Sequence, residues 1–176
     1  MSLSPAWRKL VLVLHVTSSL GFVGAIAAFL ALAIAGATAR PDLAYAVYQA
    51  MPIVTWQAIV PLAFTTLLIG VLQSLGTPWG LFRYYWVIVK LVLTIIAVAV
   101  LMLQTQTIDT LALAASGGNL EGYASARFSM MLHGAGGIGV LLIATILSVY
   151  KPRGLTRYGA AALSGRSAPE PRGPAR

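Results

Sequence analysis

Three ionisable side chains fall inside long apolar runs of this 176-residue sequence: His15, Lys90 and His133. A titratable group inside hydrocarbon is expensive and marks a functional position by default. Imidazole is a ligand for iron or copper, and an ammonium in a low-dielectric layer pairs with a carboxylate or carries protons. Met130 lies three residues before His133, so a thioether and an imidazole share one helix face and form a candidate Cu(I) pair. Gly134, Gly136 and Gly137 follow His133. They suit either close helix packing or a flat cofactor lying against the backbone. There is no cysteine, which excludes disulfides, thiolate metal sites and iron–sulfur clusters. Any metal or cofactor must therefore be held by His15, His133 and Met130.

The elements that carry these residues follow from composition. The chain is 59% hydrophobic and 9% charged, against roughly 45–50% and about 25% in soluble domains. A soluble globular fold and extended disorder are both excluded. A transmembrane helix needs about 20 apolar residues. Four runs qualify, at about 10–35, 54–75, 85–103 and 128–150. They predict an all-α membrane protein, a bundle of four transmembrane helices forming one domain over residues 1–154. The first run resembles a signal peptide with Ala37-Thr38-Ala39 as cleavage site. Its apolar length of about 26 residues exceeds the roughly 7–15 of a signal core, so it reads as a retained helix.

Arg8, Lys9, Arg83, Lys151, Arg153 and Arg157 flank the spans on one side, and only Arg40 and Arg127 on the other. The positive-inside rule then places both termini in the cytoplasm, and an even number of spans requires both on one side. The net charge of +8 is thus cytoplasmic edge and tail rather than a nucleic-acid footprint. Residues 36–53 read as an external loop broken by Pro41 and Pro52. Residues 107–115 read as a short interfacial helix ended by Gly117-Gly118. Residues 76–80 form a tight turn, with Trp79, Tyr84, Tyr85 and Trp86 as an aromatic belt. Residues 155–176 read as a basic, disordered tail. Gly21, Gly24, Ala25 and Ala28 give the first span a small-residue face suited to bundle packing or a homo-oligomer.

Depth along the helices sorts the candidates. His15 is six residues past Lys9, and Lys90 is seven past Arg83, so both lie about 9–10 Å inside the cytoplasmic edge. Arg83, Trp86 and Gln73 border that layer. His133 lies about 9 Å from the external edge, so roughly 12 Å along the membrane normal separates the two histidines. A single bis-histidine haem would need strongly tilted helices; two sites, or one site and one structural histidine, need no tilt. No Asp or Glu lies within a span, and no phosphate loop, Ser-His-Asp set or zinc-helix motif is present. A proton-coupled carrier is disfavoured accordingly.

The pattern His15-x6-Phe22-x-Gly24, with Trp86-x3-Lys90 opening the third span, resembles small bacterial membrane proteins of the HemJ and CopD type. HemJ is the four-helix, haem-associated protoporphyrinogen oxidase and CopD a copper-resistance protein. The segments 76–83, 133–137 and 150–154 are more similar still to a related family of bacterial integral membrane proteins. The resemblance covers about residues 10–154. It implies that His15 is the haem-associated histidine and Lys90 the functional lysine. Phe22 stands where the HemJ pattern has Trp, and no Leu-Pro-Arg element follows it; these departures bear on the oxidase activity more than on haem binding.

The expectation is a haem b-binding membrane protein with a redox or electron-transfer role and a redox partner. His15 is an axial ligand, and His133 is a second ligand or the ligand of a second site. Arg83 and Lys90 neutralise propionates, and Gly134, Gly136 and Gly137 seat the porphyrin. Copper handling through His133 and Met130, a HemJ-like oxidase, and a non-catalytic assembly subunit are the alternatives. The residues leave open whether the chain is an enzyme.

Overall fold

The computed structural model describes residues 4–77 and 80–164. It is all-α. Helices run over Pro5–Thr38 (α1), Pro41–Val54 (α2), Val60–Gly76 (α3), Tyr85–Ser116 (α4), Ala124–Tyr150 (α5) and Arg157–Ser164 (α6), with a π-turn at Thr55–Ile59 joining α2 to α3. Four helical runs, Pro5–Thr38, Pro41–Gly76, Tyr85–Ser116 and Ala124–Tyr150, are each long and apolar enough to cross a membrane. The chain is a multi-pass membrane protein built as a four-helix bundle. In it α1 packs between α3 and α5, α4 packs on α5 and α2, and α3 and α4 touch least.

The helices outrun their apolar cores. At about 1.5 Å per residue, the 34 residues of α1 span about 51 Å, well beyond roughly 30 Å of hydrocarbon. Ser4 caps α1 by accepting from the Trp7 amide, with Pro5 in the first turn. The break after α1 is confined to Ala39 and Arg40, whose backbones are extended.

The segment 41–53, expected as loop, is therefore helical. Pro41 opens α2 instead of breaking it, as a proline in the first turn does. Pro52 sits inside α2, where one missing amide is offset by a buried face of Ala44, Val47, Tyr48 and Met51. Pro61 also stays inside the helical run. The turn before it widens, so that the Val60 amide reaches back five residues to the Thr55 carbonyl, which relieves the proline ring of its clash with the preceding turn.

The interfacial helix expected at 107–115 is the end of α4, continuous with the span, because Ile108, Leu111 and Ala115 pack against the rest of the bundle. It stops at Gly117 and Gly118 as expected, Gly118 taking φ +68°. The tail also departs from expectation. The Gly154 carbonyl accepts from the Tyr85 amide at 3.2 Å, and the Thr156 amide donates to the Arg83 carbonyl at 2.9 Å. Thr156 Oγ1 donates to the Phe82 carbonyl at 2.6 Å and accepts from the Gly159 amide at 3.0 Å, capping α6. Gly159 lies so close on the Arg83 backbone that no side chain fits there. Trp79 of the aromatic belt and residues 165–176 lie outside the described residues.

The bundle is packed unevenly. Tyr48, Met51, Ile59, Leu111 and Met130 are fully buried towards the end remote from the termini. There Arg127 donates from Nε to the Tyr48 hydroxyl and from Nη2 to the carbonyls of Gly36 and Ala37, each at 3.1 Å. The opposite end, which carries Arg8, Lys9 and Lys151, opens into a cavity.

Candidate functional site

The cavity, of about 770 Å³, is lined from α1, α3, α4 and α5. Its walls are aliphatic, from residues such as Leu12, Val16, Leu67, Val71, Leu91 and Leu141. It holds His15 and Lys90, and Arg8, Lys9 and Lys151 also line it. Among the described residues, none that lines it is acidic.

His15 projects from α1 against one face of α3 formed by Thr66, Gly70 and Gln73, spaced four and three residues apart. Gly70 makes this possible: a Cβ there would stand 3.0 Å from His15 Cε1. His15 Nδ1, Thr66 Oγ1 and Gln73 Oε1 are buried without hydrogen-bond partners. Buried polar atoms without partners along this face mark a site that its own side chains do not saturate.

Lys90 faces inward. Its Nζ donates to Ser148 Oγ on α5 and lies 5.6 Å from the centroid of the Trp86 ring. Ser148 Oγ in turn donates to the Ala144 carbonyl at 2.9 Å, which fixes the acceptor. His15 and Lys90 are close enough for their charges to interact. The shared layer read from their depth in the sequence is thus a shared cavity.

The other sequence candidates lie elsewhere. His133 does not line the cavity. Its Nδ1 lies 2.7 Å from the Ser129 carbonyl, and its Nε2 lies 3.2 Å from Gln104 Nε2. An Nδ1–H tautomer satisfies both contacts, so this histidine bolts α5 to α4 and offers no free nitrogen. Met130 is fully buried in the core. Gly134 and Gly137 meet Leu30 and Ile26 of α1, so these two serve helix packing; Gly136 faces open space. Arg83 stands outside the cavity lining, its backbone held under α6.

Sequence reading assigned no site role to Gly70 or Lys151, and took Arg8 and Lys9 only as topology signals. A glycine within a span and a lysine at a span end are too common to stand out. Their roles arise from which helix lies opposite. Among the described residues no group of three or more His, Cys, Asp or Glu side chains is placed to hold a metal ion. No protein-family model, curated protein or solved structure matches this chain, so the chemistry of the cavity has to be read from its own lining.

Proposed function

We propose that the protein is a haem b-binding membrane protein of the bacterial cytoplasmic membrane, with a redox or electron-transfer role, and that the cavity holds the haem through His15. One observation carries this reading: a largely apolar cavity in the bundle is lined by His15, by the half-buried Lys90 and by the exposed Arg8, Lys9 and Lys151, and among the described residues no carboxylate lines it. Lys90 is the half-buried cation among them, and a charge drawn partly out of water favours an anion beside it, so the complementary ligand is apolar over most of its surface and acidic at one edge. A porphyrin with two propionates has that form.

The residues present fit the group. The cavity volume of about 770 Å³ lies in the roughly 300–1,000 Å³ range of ligand and cofactor sites. His15 carries a buried ring nitrogen, Nδ1, without a hydrogen-bond partner, so its imidazole would be the ligand. Lys90, steadied by Ser148 and Trp86, supplies a charge-assisted hydrogen bond to a carboxylate. The aliphatic walls would shield a bound macrocycle from water. Bound haem would supply one-electron chemistry, with its potential set by the axial ligand and by burial.

The absorption spectrum of protein produced with ample haem is the test. A Soret band is expected in the wild type and in His133→Ala, and its loss in His15→Ala. A colourless wild type, or a band that persists unchanged in His15→Ala, would overturn the proposal.

A further inference from the structure

We infer that Thr66 is a positioning residue for His15: its hydroxyl is the hydrogen-bond partner of the imidazole nitrogen that does not ligate, and so sets how strongly the histidine holds the haem. The inference rests on the haem reading above and names the residue behind its ligand.

Four of the hydroxyls that line the cavity are tied to their own helices. Ser74, Thr94, Thr145 and Ser148 each donate to the carbonyl four residues back, at 2.8–2.9 Å, a common use of a hydroxyl within a helix. Thr66 lines the same cavity and differs. Only 6% of it is exposed, yet its Oγ1 has no partner and leaves the Leu62 carbonyl, four residues back, unused. A hydroxyl buried without a hydrogen bond is unfavourable. Native structures keep few such groups, and each calls for a reason.

His15 supplies one. A Cβ at Gly70 would stand 3.0 Å from His15 Cε1, 3.6 Å from Nδ1 and 3.8 Å from Nε2. The ring therefore meets α3 edge-on through Cε1, and its two nitrogens look to either side of Gly70. Thr66 lies one turn from Gly70 on the same face, and its backbone is near enough to act on the imidazole. His15 Nδ1, like Thr66 Oγ1, is buried without a partner. The two atoms do not bond each other as they stand; a rotation of Thr66 about χ1, or one bridging water, closes the gap. A ligating imidazole gives one nitrogen to the metal and carries a proton on the other. An acceptor for that proton fixes the ring and raises its basicity, which favours the ferric over the ferrous ion. Gln73 Oε1, also unpartnered, is the competing acceptor on this face, and the experiment separates the two.

Full-length protein in phosphatidylcholine nanodiscs is melted without haemin, then titrated with haemin in the ferric and the dithionite-reduced states. Thr66→Val keeps the shape of the side chain and removes its hydroxyl. Without haemin it is expected to melt no lower than the wild type, because an unpaired hydroxyl has no hydrogen bond to lose. With haemin it is expected to bind about tenfold more weakly in the ferric state and within about threefold of the wild type in the ferrous state. The midpoint potential then rises, by up to about 59 mV for tenfold in a one-electron couple. Thr66→Ser is expected to restore ferric affinity to within about threefold.

A lower melting temperature of Thr66→Val without haemin would make the hydroxyl structural and overturn the inference. So would unchanged ferric affinity and potential in Thr66→Val, or the shift appearing in Gln73→Leu instead. Equal loss in both oxidation states, or a loss that Thr66→Ser does not restore, marks a packing effect and overturns it as well. A wild type that binds no haemin overturns the haem reading and this inference together. A wild-type band that is lost in His15→Ala and indifferent to Thr66→Val overturns this inference alone.

Discussion

At the scale of single residues, the cavity depends on what Gly70 lacks. A Cβ at that position would stand 3.0 Å from the His15 ring, closer than ordinary packing permits. Gly70→Leu must displace the imidazole, and overpacking of this kind costs about 1–3 kcal/mol. We expect the variant to elute as folded protein but to lose the His15-dependent Soret band, while Gly70→Ala keeps a weakened band. A full-strength band in Gly70→Leu would show that His15 is not the ligand held there. His133 predicts the opposite pattern. His133→Ala removes its contacts to Gln104 and Ser129, costing about 1–3 kcal/mol of stability, and leaves haem binding intact. Sequence alone made both histidines salient, because an imidazole in an apolar run is conspicuous. It could not divide their roles, since that depends on whether Gly70 or Gln104 lies opposite the ring.

At the scale of elements, the prolines carry the lesson. Pro41, Pro52 and Pro61 all lie within one helical run, Pro41–Gly76. Read locally, a proline breaks a helix; here tertiary burial of Tyr48 and Met51 and one widened turn outweigh that preference. Hydropathy found the four spans, because apolar length is a property of each segment alone. It missed α2 and the outer end of α4, which bury their faces against each other, α2 packing on α1 as well. Arg127 is the clasp of this outer half. It holds the last carbonyls of α1, where the helix dipole is negative, and the Tyr48 hydroxyl of α2. Arg127→Met is expected to cost about 1.5–3 kcal/mol, the value of hydrogen bonds to a charged group, read as a lower melting temperature. The Soret band should persist at low temperature because the cavity lies at the other end of the bundle. Unchanged melting would mean that the clasp contributes nothing net.

At the scale of the whole molecule, one end of the bundle is tightly packed and the other is open and basic, with no acidic residue among the described ones lining its cavity. Which end faces the cytoplasm decides where the ligand enters. The basic end carries Arg8, Lys9, Arg83, Lys151, Arg153 and Arg157, and the far end carries Arg40 and Arg127 with Asp42, Asp109 and Glu121. The positive-inside rule predicts that the bilayer turns the cavity mouth to the cytoplasm and the Arg127 clasp outward. The absence of native cysteine makes this directly measurable, since a single introduced thiol is the only reactive one. Tyr158 at the basic end and Ser116 at the far end are both exposed. In intact cells a membrane-impermeant maleimide should modify Ser116→Cys and leave Tyr158→Cys untouched until the membrane is lysed. The reverse pattern would turn the cavity outward, and the ligand would then have to arrive from outside the cell. Labelling of both in intact cells would mean that the chain is inserted in both directions, and that the charge difference between its ends is too small to orient it.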